Sequence, residues 1–202
     1  TDMCLEDKLV LYLQFAKQMQ ECIDKEEFFE IDTVIRRFED GQFPWAGEPE
    51  EMLRFMHRKD LFAHIYDLER LREEWTDVLD SLEENLYAQG EEDYRQKVEA
   101  FEGWLQEDSD RLVQWEQNGL QLFVFFLYTY FCGAVYDDWI YSKMALAVES
   151  VRFIRELYMA HWVENGALSQ GTYVELAYRY AREIEHSDLN LNTLEEYFEE
   201  RR

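Results

Sequence analysis

Proline, glycine and cysteine are all scarce in this chain of 202 residues. It contains 2 prolines and 8 glycines, too few for the many turns of a β-sandwich or a β-barrel. Leucine, glutamate, alanine and arginine are frequent, and these residues favour helices. Hydrophobic residues make up 47% of the chain, which is enough to build a core. We therefore expect an all-α fold, a multi-helix bundle without β-sheet.

The 3 cysteines, Cys4, Cys22 and Cys132, are far apart and show no C-x-x-C spacing. This arrangement predicts neither a disulfide framework nor a zinc site, and it is typical of a reducing cytoplasm. The 4 histidines include no H-E-x-x-H pair, so no metal site is predicted. No secretory signal is expected at the start of the chain. The first predicted helix begins soon after Thr1. We therefore expect this chain to be a fragment of a longer protein.

Basic residues are also few, because 20 Lys and Arg stand against 45 Asp and Glu and give a net charge of −25. At physiological salt this negative field acts over about 8 Å and repels phosphate backbones and anionic membrane surfaces. We therefore expect no autonomous binding of nucleic acid. The same charge favours a lysine-bearing protein as a partner, although its commoner role is to keep a protein soluble.

The first half of the chain shows the apolar periodicity of helices. Apolar residues at three-and-four spacing predict helices over residues 5–23 and 31–38. Residues 41–49 contain both prolines and predict a loop. We expect two regions, residues 1–118 and residues 119–202, that pack as one compact unit.

Longer apolar patterns follow. Residues 61–86 carry apolar side chains at seven-residue intervals and predict one long helix. The pattern resumes from Tyr94 to Trp115, which predicts a long antiparallel αα-hairpin with Gly90 at its tip. Residues 120–135 are apolar on every side but fall short of the ~20 residues of a membrane span, so we expect a buried central helix there. Residues 140–162 predict a second buried central helix.

A polar face marks the helix predicted over residues 172–186. The side chains on this face are Glu175, Arg179, Arg182, Glu183 and His186. Arginine, carboxylate and histidine groups at helical spacing can bind an anionic group such as a carboxylate and can move a proton. Alternatively, the same face is a solvated ladder of ion pairs worth about 0.3 to 0.5 kcal/mol each.

The residues after His186 form no hydrolytic triad. Ser187 and Asp188 follow it directly, and adjacent side chains that leave a helix point in different directions. We expect them in the turn before a last helix, which Asn190 or Asn192 would cap.

Arg155 lies within the apolar stripe of a helix that is predicted to be buried. A buried guanidinium requires an acidic partner, and the candidates are Asp137, Asp138 and Glu183. Such a pair would be either a structural ion pair or part of a polar pocket. Asp137 and Asp138 are expected to form a tight corner between two helices, and Tyr141 lies near this corner.

Several short motifs in the second half resemble a known family in their order. They are residues 126–131, 136–138, 140–143, 154–157, 162–166 and 180–190. Across residues 120–194 the chain resembles the C-terminal half of the flagellin lysine-N-methylase family. The resemblance implies a bacterial enzyme that transfers methyl groups from S-adenosylmethionine to lysine side chains of flagellin. It also implies an N-terminal half whose clustered cysteines resemble an iron–sulfur site.

Motif and chemistry together nominate Arg182, Glu183 and His186 as catalytic residues. The residues nominated for binding substrate or cofactor are Asp137, Asp138, Tyr141, Arg155 and Arg179. The three cysteines of this chain cannot supply the implied iron–sulfur cluster, so these 202 residues are expected to be inactive alone. The alternative hypothesis is a non-catalytic interaction module whose hairpin, residues 61–115, docks a partner protein.

Overall fold

The computed structural model of the chain describes residues 3–44 and 51–202, with side chains throughout except at residues 51–53. Within these ranges the chain is helical and contains no β-strand. The predicted all-α fold is therefore confirmed. The α-helices of the described ranges are α1 (Leu5–Asp24), α2 (Phe28–Glu39), α3 (Glu51–Tyr66), α4 (Glu74–Leu82), α5 (Glu91–Gln106), α6 (Ser109–Tyr130), α7 (Ala134–Asp137), α8 (Ile140–Asn165), α9 (Gln170–Glu185) and α10 (Asp188–Glu199).

Helices α1 and α2 confirm the first two predicted helices. They enclose a small apolar cluster in which Met19, Val34 and Phe43 are buried. Aromatic rings on both helices reinforce this cluster, since the centroids of Phe15 and Phe38 lie 4.3 Å apart. Of the loop predicted over residues 41–49, residues 41–44 lie outside any helix, and residues 45–49 lie outside the described residues.

The prediction of one continuous helix over residues 61–86 is wrong. Helix α3 ends at Tyr66, residues 67–73 are not helical, and α4 begins only at Glu74. A π-helical turn, Glu83–Tyr87, extends α4. Gly90 follows with a φ of 89°, a left-handed conformation that glycine adopts without strain. The hairpin at Gly90 therefore joins α4 to α5, and its first arm is shorter than predicted.

The second arm also ends earlier than predicted. Helix α5 ends at Gln106, and Trp115 belongs to the next helix, α6. The carboxylate of Asp108 accepts hydrogen bonds from the backbone N–H groups of Asp110, at 2.9 Å, and Arg111, at 3.3 Å. A side-chain acceptor at this place caps the first turn of a helix. Asp108 therefore begins a new helix, α6, at a point where the apolar periodicity predicted that the preceding helix continues.

The predicted burial of residues 120–135 is also wrong, because α6 packs along one side only. Phe123, Phe126 and Tyr130 are buried, whereas Tyr128 is 77% exposed and Val135 is 82% exposed. By length and composition the helical stretch Ser109–Asp137 could cross a membrane, and 28% of its most apolar window is buried within the protein. A helix that is apolar on every side becomes buried only where every side has a neighbour to pack against.

Helix α8 confirms the other predicted buried helix. From Ser142 to Ala160 every residue is buried except Arg152 and Arg155, which are half-buried. The helix ends at Asn165, and Gly166 has a φ of 72°. The backbone N–H of Gly166 donates to the carbonyl of Trp162 at 2.7 Å, as expected of a glycine that terminates a helix.

The chain folds into two compact units that are not contiguous in sequence. The first unit contains Thr1–Glu48, Asn118–Val151 and Leu194–Arg202, and the second contains Pro49–Gln117 and Arg152–Thr193. The division into residues 1–118 and 119–202 stays a prediction.

A buried carboxylate organises the core of the second unit. Glu156 accepts hydrogen bonds from the hydroxyls of Tyr87 and Tyr94, and the Nε of Arg58 lies 3.8 Å from the same carboxylate. Burial and the negative charge of Glu156 raise the pKa of both tyrosines. The two hydroxyls therefore stay protonated and remain donors.

Glu156→Ala should lower the free energy of unfolding by about 3 kcal/mol, because it removes the carboxylate that two buried hydroxyls and a guanidinium share. Urea denaturation followed by circular dichroism measures this loss. The control is Glu164→Ala at an exposed position of the same helix, with an expected change within about 0.5 kcal/mol. Equal stability of the two variants would contradict the structural role of Glu156.

Candidate functional site

Glu183, at the end of α9, binds the backbone of the segment that separates α3 from α4. It is 2% exposed, and its Oε2 accepts a hydrogen bond from the N–H of Leu71 at 2.8 Å. A buried carboxylate needs such donors, and a backbone N–H outside a helix needs an acceptor. This bond therefore stabilises both the side chain and the non-helical segment, residues 67–73.

Asn190, in the first turn of α10, completes the attachment of this segment. It is 1% exposed. Its Oδ1 accepts from the N–H of Glu69 at 3.0 Å, and its Nδ2 donates to the carbonyls of Glu69 and Glu183, both at 2.8 Å. We call the group of Glu183, Ser187 and Asn190 the backbone clamp, since together they hold residues 69–71.

Ser187 caps α10 within this clamp. Its Oγ accepts from the N–H of Asn190 at 3.1 Å and donates to a carboxylate oxygen of Glu69 at 3.3 Å. The prediction that Asn190 or Asn192 caps this helix is therefore wrong, because the amide of Asn190 is used by the backbone of Glu69. Ser187 does lie in the turn before the last helix, as predicted.

A groove of about 770 Å³ lies next to the clamp. We call it the arginine groove, and its lining residues are Arg72, Glu74, Trp75, Gln170, Gly171, Val174, Glu175, Tyr178, Arg179, Arg182 and Glu183. Arg72 directly follows Leu71, so the clamp fixes the backbone from which the Arg72 side chain extends. The volume is within the range of about 300 to 1,000 Å³ that is usual for small-molecule pockets.

Contacts within the groove orient its arginines. Arg182 Nη1 donates to the hydroxyl of Tyr178 at 2.6 Å, and Arg179 pairs with Glu175 at 2.5 Å. Tyr178 is 56% exposed, so its ring is available for contact with a ligand, while the ring of Trp75 is buried beneath the groove. Guanidinium groups beside an exposed aromatic ring are suited to a ligand with an anionic group and a flat apolar part.

His186, the third predicted catalytic residue, is exposed and ends α9. It is not among the residues that line the arginine groove. Its neighbour Glu185 is half-buried, and burial raises the pKa of the Glu185 carboxyl while the charge of His186 acts in the opposite direction.

Arg155 has a different partner from those predicted. Its Nη2 lies 3.4 Å from Glu116 Oε1, and its guanidinium lies 4.1 Å from the ring centroid of Trp115. Arg155 does have an acidic partner, as expected, but Glu116 was not among the candidates Asp137, Asp138 and Glu183. Glu116 lies in the part of α6 that belongs to the same compact unit as Arg155.

Asp137, Asp138 and Tyr141 form a corner in the other compact unit. Asp137 accepts from the N–H of Trp139 at 3.0 Å, and Asp138 has a left-handed backbone with a φ of 63°. The N–H of Tyr141 donates to the side chain of Gln20 at 3.1 Å. This confirms the tight corner between two helices, in which all three residues have structural contacts.

A buried lysine stabilises this corner. The ammonium of Lys143 lies 2.9 Å from Asp137 and 2.8 Å from Glu195. A side chain at Gly133 would place its Cβ 3.1 Å from Cε of Lys143, so glycine leaves room for the lysine stem. Burial lowers the pKa of Lys143, but the hydrogen bonds that it donates to Asp137 and Glu195 outweigh burial and raise the pKa above 10.5.

The predicted site residues therefore divide into groups. Arg179, Arg182 and Glu183 line one groove, whereas Arg155 and His186 lie elsewhere in that unit. Their roles in binding and catalysis stay predictions, as do those of the three corner residues. Sequence reasoning missed Arg72 and Tyr178. The four-residue spacing of Tyr178 and Arg182 on one helix could have revealed Tyr178, but only the fold brings Arg72 to α9.

The described residues do not fit a metal cluster. Among them, no group of three or more His, Cys, Asp and Glu side chains could hold a metal ion. Cys4 and Cys22 lie at opposite ends of α1, separated by about 27 Å at 1.5 Å per residue. Cys22 is buried, whereas Cys4 and Cys132 are exposed. The iron–sulfur site implied by the resemblance therefore has no ligand set in these ranges.

Glu183→Ala should destabilise the protein by about 2 kcal/mol, because the N–H of Leu71 loses its acceptor. Glu183→Gln keeps an acceptor oxygen and should lose less than half as much. Thermal unfolding by calorimetry compares the two, with Glu175→Ala at an exposed position of the same helix as control. Equal melting temperatures for Glu183→Ala and Glu175→Ala would show that the clamp is dispensable.

Lys143→Met should destabilise the protein by about 2 kcal/mol at pH 7, because it removes both ion pairs and keeps the apolar stem. Since the folded-state pKa is raised, this stability is fully present below pH 10.5 and is lost as the pH rises through the folded-state value. The difference between wild type and variant should therefore shrink above that pH. Lys25→Met, at an exposed pair with Glu21, should show little difference at any pH.

Comparison with known proteins agrees with the motifs of the second half. No curated protein and no solved structure matches the chain. A family match extends over its whole length and so covers more than the residues 120–194 on which the resemblance depends. The chain belongs to the family of FliB lysine N-methylase C-terminal domains, whose sequence model matches residues 1–202.

Proposed function

We propose that this chain is the C-terminal domain of an enzyme that transfers methyl groups from S-adenosylmethionine to lysine side chains of flagellin in the cytoplasm. We further propose that the arginine groove binds the carboxylate end of the methyl donor. Family membership supports the reaction class. The choice of site depends on one observation. In a chain with a net charge of −25, this groove contains three arginines and an exposed tyrosine ring.

The donor set of the groove fits this ligand. Arg182 and Arg179 would bind the carboxylate of its amino-acid part, because guanidinium groups bind carboxylates through paired hydrogen bonds. Glu175 would bind the ammonium group, and the exposed ring of Tyr178 would pack against the adenine. The bond from Arg182 to the Tyr178 hydroxyl orients both side chains before a ligand enters, which limits the entropy that binding costs.

When bound, S-adenosylmethionine would supply a sulfonium methyl group. The acceptor lysine would first lose a proton to solvent, and the lone pair of its neutral amine would then form the new carbon–nitrogen bond as the carbon–sulfur bond breaks with its electron pair kept by sulfur. Glu183 acts here as a positioning residue, because its carboxylate is occupied by the N–H of Leu71 and thereby places Arg72. His186 is exposed and does not line the arginine groove, so no step is assigned to it. No step is assigned to an iron–sulfur cluster, for which the described residues offer no ligands.

One observation favours an alternative, a non-catalytic interaction module. Residues 117–136 contain no charged residue, although charged residues make up 32% of the chain. The exposed side of α6 carries Leu120, Val124, Phe125 and Tyr128, and exposed apolar patches mark interaction sites. This surface, rather than the hairpin of residues 61–115, would bind a protein whose apolar face is bordered by lysine and arginine, since such a border complements the acidic chain.

The full-length protein with Arg182→Gln tests the proposal. The dissociation constant for S-adenosylmethionine, measured by calorimetry, should rise at least tenfold, because a charge-assisted hydrogen bond contributes about 1.5 to 3 kcal/mol. Methyl-lysine formed on purified flagellin, counted by mass spectrometry, should fall in parallel. Arg95→Gln, at a half-buried arginine on α5 that pairs with Glu92 and Glu99, is the matched control and should change neither quantity.

The outcomes separate the two functions. If the wild-type full-length protein forms no methyl-lysine on flagellin, the proposed reaction is wrong. If Val124→Asp abolishes binding of flagellin while no methyl transfer occurs in any variant, the interaction module is supported. Unchanged donor affinity in Arg182→Gln, together with normal methylation by the wild type, would place the donor outside the arginine groove.

A further inference from the structure

We infer that a second groove, beside the arginine groove, receives the lysine side chain of the methyl acceptor. This inference rests on the proposed function. The second groove has a volume of about 550 Å³. Its apolar lining is formed by Val78, Leu157, Ala160 and Leu176, and carboxylates of Asp77 and Glu175 line it as well. We call it the Asp77 groove.

The lining of the Asp77 groove matches the two parts of a lysine side chain. Leu157 and Ala160 are buried, and Val78 and Leu176 are half-buried, so they offer an apolar surface to the four-carbon stem. Asp77 is exposed and can pair with the ammonium group. Lysine commonly binds in this way, with its stem along apolar surface and its charged group in a polar environment.

The charges of the two grooves differ. The arginine groove is lined by three arginines and three glutamates, whereas Arg179 is the one arginine or lysine among the described residues that line the Asp77 groove, beside the carboxylates of Asp77 and Glu175. Arg179 is paired with Glu175 through Nη2 at 2.5 Å and through Nε at 3.1 Å. The carboxylate of Asp77 therefore leaves the second groove with an excess of negative charge, which favours a cationic ligand there, whereas the arginines and glutamates that line the first groove are equal in number.

Three residues line both grooves: Gly171, Glu175 and Arg179. The ion pair of Glu175 and Arg179 thus forms a wall common to the two binding sites. Methyl transfer requires the donor carbon and the acceptor nitrogen to approach each other closely, and two sites with a common wall meet this requirement.

The test uses the full-length protein and two peptides that differ at one side chain. One is a lysine-containing flagellin peptide, and the other carries norleucine at the same position, which keeps the stem and lacks the ammonium. Calorimetry without methyl donor measures both affinities. We expect the wild type to prefer the lysine peptide about fivefold, the upper range for a partly exposed ion pair, and we expect Asp77→Asn to remove this preference.

Glu84→Gln is the matched control, since it removes one exposed carboxylate from the same hairpin outside both grooves and should keep the fivefold preference. Asp77→Lys should abolish lysine-peptide binding, and its melting temperature reports whether the variant is folded. In steady-state assays Asp77→Asn should raise the KM for flagellin and leave the KM for S-adenosylmethionine unchanged.

An unchanged preference for the lysine peptide in Asp77→Asn would overturn the assignment of this groove even if the wild type methylates flagellin. A rise in the KM for the donor instead of the acceptor would also overturn it. Absence of methyl transfer by the wild type, with the lysine preference still dependent on Asp77, would reject the proposed reaction and keep the lysine site.

Discussion

The position of residues 67–73 depends on hydrogen bonds from the clamp formed by Glu183, Ser187 and Asn190. Two backbone N–H groups of this segment, those of Glu69 and Leu71, are bound by side chains that are almost wholly buried. Both bonds are partly buried, and a buried N–H that loses its acceptor costs about 1 to 3 kcal/mol, so these acceptors stabilise the non-helical path of the segment. The arginine groove exists because α3 and α4 are separated at this point.

The clamp also shows that polar residues at the end of α9 can have a structural role rather than a direct role in a reaction. Glu183 and Asn190 are buried and bind backbone, whereas Arg182, directly before Glu183, is half-buried and bonds to Tyr178 in the groove. Residues one turn apart on a helix lie on the same side, and a shift of one residue turns a side chain by about 100°. One short stretch therefore supplies both the support of a site and part of its lining.

Two helices with similar composition meet different neighbours in this fold. Both α6 and α8 are rich in apolar residues, but α8 is buried on all sides along most of its length, whereas α6 leaves Val124 and Tyr128 open to solvent. Hydropathy indicates how much free energy a helix would gain if its apolar surface were buried. It does not indicate how many sides of the helix pack against other helices. In an acidic chain the uncharged side of α6 offers little electrostatic opposition to contact with another macromolecule.

Much of the architecture follows from local physical chemistry that a sequence contains. Apolar spacing predicts α1, α2 and α8, the glycines at 90 and 166 end helical stretches through left-handed backbone, and the scarcity of turn residues excludes a sheet protein. The grouping of Arg179, Arg182 and Glu183 was also accessible, since residues three and four apart share a helix face. What only the tertiary structure decided is which partners these groups meet: Glu116 for Arg155, the N–H of Leu71 for Glu183, Arg72 beside α9. Such pairings join residues up to 112 positions apart, and periodicity along a helix contains no information about contacts over that separation.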